Sequence, residues 1–190
     1  MNAARLVIGA LVLGLATGVC ADTAKEMPGF ALRNWDGKTV TPDSLVGART
    51  ILVFTYAKCV FGCPMITYQL QELDESLGHP EDVRYLHVSV NPELDTPEEL
   101  LKHFEKHDID PREDGRWMFL SGPEEETASV LAAYGIAVKR TPFENDVIVE
   151  PTPKVFVIDA RARISNVFDT YQWDEKEMHH AIRSARGSLR

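Results

Sequence analysis

The chain has 190 residues, of which 44% are hydrophobic and 26% charged, and its formal net charge is −9. This composition is that of a globular protein, and the length suits a single folded domain. The negative charge repels phosphate backbones and anionic lipid surfaces, so the composition excludes nucleic acid as a partner.

The N-terminus has the pattern of an export signal. Arg5 precedes an apolar run from Leu6 to Val19, and Val19-Cys20-Ala21 fits the small-x-small pattern of a signal-peptidase site. We therefore predict a signal peptide over residues 1–21, cleaved after Ala21, and one domain over residues 22–190 in the periplasm or another exported location. The apolar run is shorter than the ~20 residues of a spanning helix, which favours cleavage. The alternative is that the segment is retained as a membrane anchor facing the periplasm. We expect membrane association only in that case.

Strands and helices alternate along the rest of the chain. Apolar runs predict strands, and spacings of three and four between apolar residues predict helices. Proline, capping residues and glycine mark the helix ends. The predicted order is a strand at 50–57, a helix from Pro64 to Gly78, a strand at 83–90, a helix begun by the capping box Thr96-Pro97-Glu98-Glu99, a strand at 116–121, a helix from Pro123 to Gly135, strands at 154–159 and 163–168, and a helix capped by Asp174. This order predicts an α/β fold with a central mixed sheet covered by helices on both faces.

Two cysteines, Cys59 and Cys63, fall where the first of these strands meets its helix. The partial positive charge of a helix N-terminus favours a thiolate over a thiol and lowers the pKa of a cysteine placed there, and Lys58 adds to this effect. Three interpretations are open: a structural disulfide, a thiol-exchange pair, or a pair of thiolates that holds a soft ion such as Cu(I). A disulfide that closes so short a loop contributes only about 2 kcal/mol, which makes it a poor structural clip.

Three longer stretches resemble the Sco family of thioredoxin-fold proteins. They are "FALRNWDGKTVTPDSLVGARTILVFTYAKCVFGCP", which ends in the C-x-x-x-C-P motif, "LHVSVNPELDTPEELLKHF", and "RWMFLSGPEEETASVLAAYGI". The resemblance implies a thioredoxin-like fold with an N-terminal hairpin extension. It also implies an exported protein that exchanges disulfides or binds copper, commonly during assembly of the copper centre of cytochrome oxidase.

One ligand of the Sco pattern is missing from the chain. That pattern has a histidine eight residues before the aspartate that ends the penultimate strand, and here Pro151 stands at that distance from Asp159. The following Thr152-Pro153 looks like the threonine and cis-proline loop of thioredoxins and TlpA-like proteins, which faces the cysteine pair. Among the histidines, we expect those on helices, His103 included, to lie at the surface or its boundary.

The resemblance and this departure together rank the functions. First is a thiol-disulfide oxidoreductase with Cys59, Cys63 and Pro153 as its site, a protein thiol or disulfide as its partner, and no required cofactor. The alternative is a metallochaperone that holds Cu(I) through both thiolates and delivers it to a cytochrome oxidase subunit or copper protein. A peroxidase ranks third, because peroxiredoxins have proline and threonine or serine where this chain has Leu52 and Tyr56.

Overall fold

The computed structural model describes residues 24–58, 62–143 and 146–186, without the side chains of residues 62–64 and 146. The predicted signal peptide, its cleavage site and Cys59 lie outside the described residues. For Cys63 the description extends to the backbone alone.

The secondary structure comprises ten strands, four α-helices and one 3-10 helix within the described residues. The strands are β1 (Lys25–Glu26), β2 (Leu32–Asn34), β3 (Thr39–Val40), β4 (Arg49–Thr55), β5 (Val83–Ser89), β6 (Trp117–Ser121), β7 (Val138–Phe143), β8 (Asp146–Pro151), β9 (Val155–Ile158) and β10 (Arg163–Phe168). The helices are α1 (Gly62–Leu77), α2 (Pro97–Glu105), α3 (Glu124–Ala133) and α4 (Glu175–Ser184), and the 3-10 helix is Pro42–Leu45.

Eight strands form one mixed sheet in the order β1-β10-β9-β4-β5-β6-β2-β3. β4, β5 and β6 are parallel to one another, whereas β9 runs antiparallel to β4. β2 and β3 form an antiparallel hairpin that extends the sheet beyond β6, as expected for the N-terminal extension. The predicted mixed sheet is therefore confirmed.

β4 is the central strand, and every one of its residues is buried. Its side chains alternate between two apolar cores. Leu52 and Phe54 pack with residues of α3 on one face of the sheet, and Ile51 and Val53 pack with residues of α1, α2 and α4 on the other. The helices thus cover both faces of the sheet: α3 packs on one face, and α1, α2 and α4 pack on the other.

The helix ends follow the predicted signals with one adjustment. The side chain of Thr96 accepts a hydrogen bond from the backbone of Glu99, and that of Asp174 accepts one from Glu177. Gly135 has a positive φ of 66° just after α3, a conformation that favours glycine. α1 begins at Gly62, two residues before the predicted start, so the backbone of Cys63 lies in its first turn.

The far end of α1 is tied to the sheet by a charged network. Asp74, which is buried, accepts hydrogen bonds from the Tyr85 hydroxyl at 2.8 Å and from both terminal nitrogens of Arg116 at 2.6 and 2.9 Å. The pKa of Asp74 is lowered, because the hydrogen bonds from Arg116, His79 and Tyr85 outweigh the effect of burial. This network fixes the helix whose first turn carries Cys63.

The antiparallel hairpin β7–β8 was not predicted from the sequence. It forms a separate two-stranded sheet in which Val138 pairs with Pro151. Strand β7 contains Pro142 and carries no buried residue, so it has neither the apolar alternation nor the composition of a strand in a core.

Among the described residues, no helix is long and apolar enough to cross a membrane.

Candidate functional site

The predicted site lies at the elbow between β4 and α1. β4 ends at Thr55, and α1 begins at Gly62 with Cys63 as its second residue. The free N–H groups and the dipole of a helix N-terminus favour a thiolate in this position. The structure thus places Cys63 at a helix start at the carboxyl end of the central strand, and Cys59 lies outside the described residues.

A buried carboxylate supports the elbow from the next loop. The backbone N–H of Ala57 donates to Asp95 Oδ1 at 3.0 Å, and the Ser89 hydroxyl donates to Asp95 Oδ2. Asp95 is 3% exposed, and burial raises its pKa to about 6 although both hydrogen bonds act in the opposite direction. Lys58 lowers this pKa and Glu99 raises it, and these two side chains lie 3.9 Å apart at the surface above Asp95.

A buried histidine contacts the helix start. The Nε2 of His103 lies 2.9 Å from the hydroxyl of Thr67 in α1. His103 is 2% exposed, so the expectation of a surface helix histidine is wrong. It lies between Leu100 and Phe104 on the inward face of α2, where the Thr67 hydroxyl supplies a hydrogen-bond partner that burial requires. Burial lowers the pKa of His103 to about 4.

His87 and His107 continue this cluster on either side of His103. The ring centroids of His87 and His103 are 5.7 Å apart, and those of His103 and His107 are 5.1 Å apart. His87 is completely buried in β5, with Nδ1 3.3 Å from the Thr55 hydroxyl. Burial lowers the pKa of His87 well below its usual value. The cluster therefore consists of neutral rings at neutral pH.

The Thr152-Pro153 segment approaches the elbow along the sheet. Val155 pairs with Val53, and continuing this antiparallel register by two residues brings Pro153 level with Thr55. The pairing itself ends at Val155, and the Phe54 carbonyl accepts a hydrogen bond of 3.1 Å from the Tyr171 hydroxyl. The predicted loop thus lies beside the end of β4.

The prediction of a cis peptide bond before Pro153 is wrong. Every described peptide bond is trans. The backbone N–H of Thr152 donates to the Ala137 carbonyl at 2.8 Å, and its hydroxyl accepts from the Ala137 N–H at 3.0 Å. These bonds continue the β7–β8 pairing beyond Pro151, so the chain enters β9 from an extended strand and not from a tight turn. The likeness to the cis-proline loop of thioredoxins is lost with this bond.

Pro151 ends β8 and has no side-chain donor for a metal. Within the described residues, no three His, Cys, Asp or Glu side chains lie close enough together to hold a metal ion. In the histidine cluster, the Nε2 of His103 is already hydrogen-bonded to the Thr67 hydroxyl.

Sequence reasoning located the cysteine elbow but missed Asp95 and His103. Asp95 contacts Ala57 and His103 contacts Thr67, each across more than thirty-five residues of sequence, which local patterns do not reveal. A usable signal existed for Asp95: it follows a parallel strand, and polar residues beyond the carboxyl ends of such strands meet at one edge of the sheet.

The SCO1/SenC family model matches residues 20–186. The SCO1 protein homolog of Bacillus subtilis is 31% identical over 126 residues, which are 65% of this chain and 64% of that protein. The match therefore spans less than two thirds of that relative's length.

Two solved structures share the fold over nearly their whole length. ScoI of Bradyrhizobium japonicum, solved with copper bound, has a TM-score of 0.70 and 26% identity, covering 85% of this chain and 98% of its own. BsSco, described as a member of the Sco family of cytochrome c oxidase assembly proteins with a disulfide switch, has a TM-score of 0.69 and 25% identity, covering 90% and 98%. The predicted thioredoxin-like fold is confirmed.

Proposed function

Because the chain belongs to the SCO1/SenC family, we propose that it is an exported thiol-disulfide oxidoreductase that acts through Cys59 and Cys63. Its role is the maturation of respiratory or copper proteins, and its partner is a protein thiol or disulfide. The observation that carries the proposal is the elbow, where the second cysteine of the pair stands in the first turn of α1 at the end of the buried central strand.

The proposed exchange has two steps. By analogy with thioredoxins, in which the first cysteine of the pair attacks, we assign the attack to Cys59. Its thiolate attacks a disulfide of the partner, forming a mixed disulfide and releasing one partner thiolate. The Cys63 thiolate then attacks Cys59 in the mixed disulfide, which releases the second partner thiolate and leaves a Cys59–Cys63 disulfide. Two electrons pass to the partner, and its two thiolates take up protons from solvent. In the reverse direction the pair oxidises a partner dithiol through the same intermediate.

We further propose that Pro153 borders the surface on which the partner polypeptide binds. Its support is the register of β9, which brings residues 152–154 to the level of the strand end. This role of Pro153 does not require a cis peptide bond before it. The proposed signal peptide over residues 1–21 delivers the protein to a compartment where disulfides persist.

Reversible oxidation of the purified protein tests the proposal. In a Cys20→Ser background, so that only the pair remains, titration in glutathione buffers should give one two-electron transition. Either Cys59→Ser or Cys63→Ser should abolish it. A pair that resists both reductant and alkylating agent would instead be a structural clip, and the proposal would fail.

The second candidate function is carriage of Cu(I), and a specific observation favours it. A structure of similar fold, 26% identical to this chain, was solved with copper bound. Two thiolates suffice for a two-coordinate soft ion, so the proposed ligands are Cys59 and Cys63, and copper would be cargo for an oxidase subunit or copper protein. Metal analysis of the reduced protein, beside both serine variants, separates this function from exchange alone.

A further inference from the structure

Two buried side chains contact the two ends of the segment that carries both cysteines. Asp95 accepts a hydrogen bond of 3.0 Å from the N–H of Ala57, two residues before Cys59, and the His103 ring lies 2.9 Å from the hydroxyl of Thr67 in the second turn of α1. Asp95, His103 and Thr67 are all buried.

Both contacts come from one part of the fold. Asp95 lies immediately before the Thr96 cap of α2, and His103 lies within that helix. Asp95 is itself held by the Ser89 hydroxyl at the end of β5. Two buried side chains, Asp95 and His103, thus grip the strand end and the helix start on either side of the cysteine pair.

A neutral imidazole has one nitrogen that donates and one that accepts, and the Thr67 hydroxyl can pair with either. Burial favours the neutral form of His103 and lowers its pKa to about 4. The contact with Thr67 is therefore made by a neutral ring at neutral pH.

We propose that His103 and Asp95 are positioning residues for the Cys59–Cys63 pair. This inference rests on the proposed function. Ordering the ends of a short segment in advance removes part of the entropy cost of closing it, and so raises the effective concentration of one thiol toward the other. Loss of the grip should therefore shift the pair toward its reduced, open form.

A matched pair of substitutions at Thr67 tests the grip without removing His103 or Asp95. Thr67→Val keeps the shape and loses the hydroxyl, whereas Thr67→Ser keeps the hydroxyl and loses a methyl group. The equilibrium constant for oxidation of the pair by glutathione disulfide should fall about tenfold in Thr67→Val, which is about 30 mV for a two-electron couple. Thr67→Ser should stay within about twofold of the parent.

Thr127→Val is the control for the loss of a buried hydroxyl. Thr127 is buried in α3 on the opposite face of the sheet, where its hydroxyl donates to the Gly122 carbonyl at 3.4 Å. It should leave the redox equilibrium unchanged. His103→Asn gives a second measurement, since the shorter side chain should lose the contact with Thr67, and it should resemble Thr67→Val.

The outcomes separate this inference from the function beneath it. A parent protein without a reversible transition overturns the proposed exchange itself, together with the positioning role. A parent that titrates normally, with Thr67→Val and His103→Asn within twofold of it, overturns the positioning role alone. Equal shifts in Thr67→Val and Thr127→Val also overturn it, because they would trace the effect to general loss of stability.

Discussion

Asp95 is a carboxyl group whose surroundings oppose its ionisation. It is buried beneath the elbow, it accepts hydrogen bonds from Ala57 and Ser89, and its pKa is raised to about 6 because burial outweighs those bonds. A raised pKa means that the folded state binds this proton more tightly than the unfolded state does. Its contribution to stability is thus present below about pH 4 and is lost as the pH rises through 6.

Asp95→Asn should therefore become more favourable, relative to the parent, as the pH rises. Each pKa unit corresponds to 1.36 kcal/mol, so the difference in the free energy of unfolding should move in favour of the variant by up to about 3 kcal/mol between pH 4 and 7. Urea unfolding at both pH values measures this change. Glu93→Gln, at an exposed position of the same loop, is the control and should show no comparable change. A difference for Asp95→Asn that is independent of pH would contradict the buried-acid assignment.

His87 has the opposite pH dependence. It is fully buried, its pKa is lowered chiefly by burial, and its Nε2 has no hydrogen-bond partner among the described residues. Unfolding lets this ring take up a proton, so its contribution to stability is present above about pH 6.5 and is lost as the pH falls.

His87→Leu should remove part of the acid sensitivity of the fold. We expect the variant to lie within about 1 kcal/mol of the parent at pH 7.5 and to gain on it by up to about 1.4 kcal/mol per pH unit below pH 6.5. Unfolding curves between pH 5 and 7.5 test this expectation, with His180→Leu on the exposed face of α4 as the control. Parallel pH profiles for parent and His87→Leu would show that another group governs acid unfolding.

At the scale of elements, the sequence predicts those parts whose signals are local. β4 follows from a short β-branched run, and α2 and α4 follow from Thr96 and Asp174, whose side chains do cap them. The elbow follows because strand and helix adjoin in the chain. The β7–β8 hairpin does not, since it is held by its own ladder and not by an apolar face. The contact of Asp95 with Ala57 joins residues far apart in the sequence, so local patterns did not predict it either.

The absence of the Sco histidine can be tested by mutation, because Pro151, which stands in its place, is the last residue of the β7–β8 hairpin. Pro151→His restores an imidazole at the distance from Asp159 that the Sco pattern requires, and the extended backbone there suits histidine. Two thiolates alone would tend to reduce Cu(II), whereas an added neutral imidazole suits it. We therefore expect Pro151→His to gain stable Cu(II) binding with a thiolate-to-copper absorption band.

The comparison uses three proteins: the parent, Pro151→His, and Pro151→His/Pro153→Ile, in which Pro153 no longer restrains the loop. Absorption spectra after addition of Cu(II) give the result. Tight Cu(II) binding by the parent would mean that another ligand exists, and no binding by the double variant would mean that residue 151 does not face the cysteines.

At the scale of the whole molecule, the site lies at the end of β4, the strand between the two apolar cores. β4 is buried on both faces, Asp95 contacts the chain just beyond its end, and His103 of α2 contacts Thr67 of α1, so the elbow adjoins the buried centre of the fold. A ligand that binds the folded elbow more tightly than it binds the unfolded chain stabilises the fold. Its binding energy should therefore appear in the stability of the entire domain.

Thermal unfolding with Cu(I) measures that coupling. At a free Cu(I) concentration of 100 times the Kd, the gain in stability is at most about 2.7 kcal/mol, because the two thiols of the unfolded chain also bind Cu(I), and the Tm of a domain of this size rises by at most roughly 5–10 °C. We expect this rise in the reduced protein in the Cys20→Ser background. It should be absent in Cys59→Ser and Cys63→Ser, and absent in the oxidised parent, whose sulfurs are then paired. A rise of the same size in a variant that lacks both Cys59 and Cys63 would place the copper elsewhere in the chain and remove the metallochaperone alternative from the elbow.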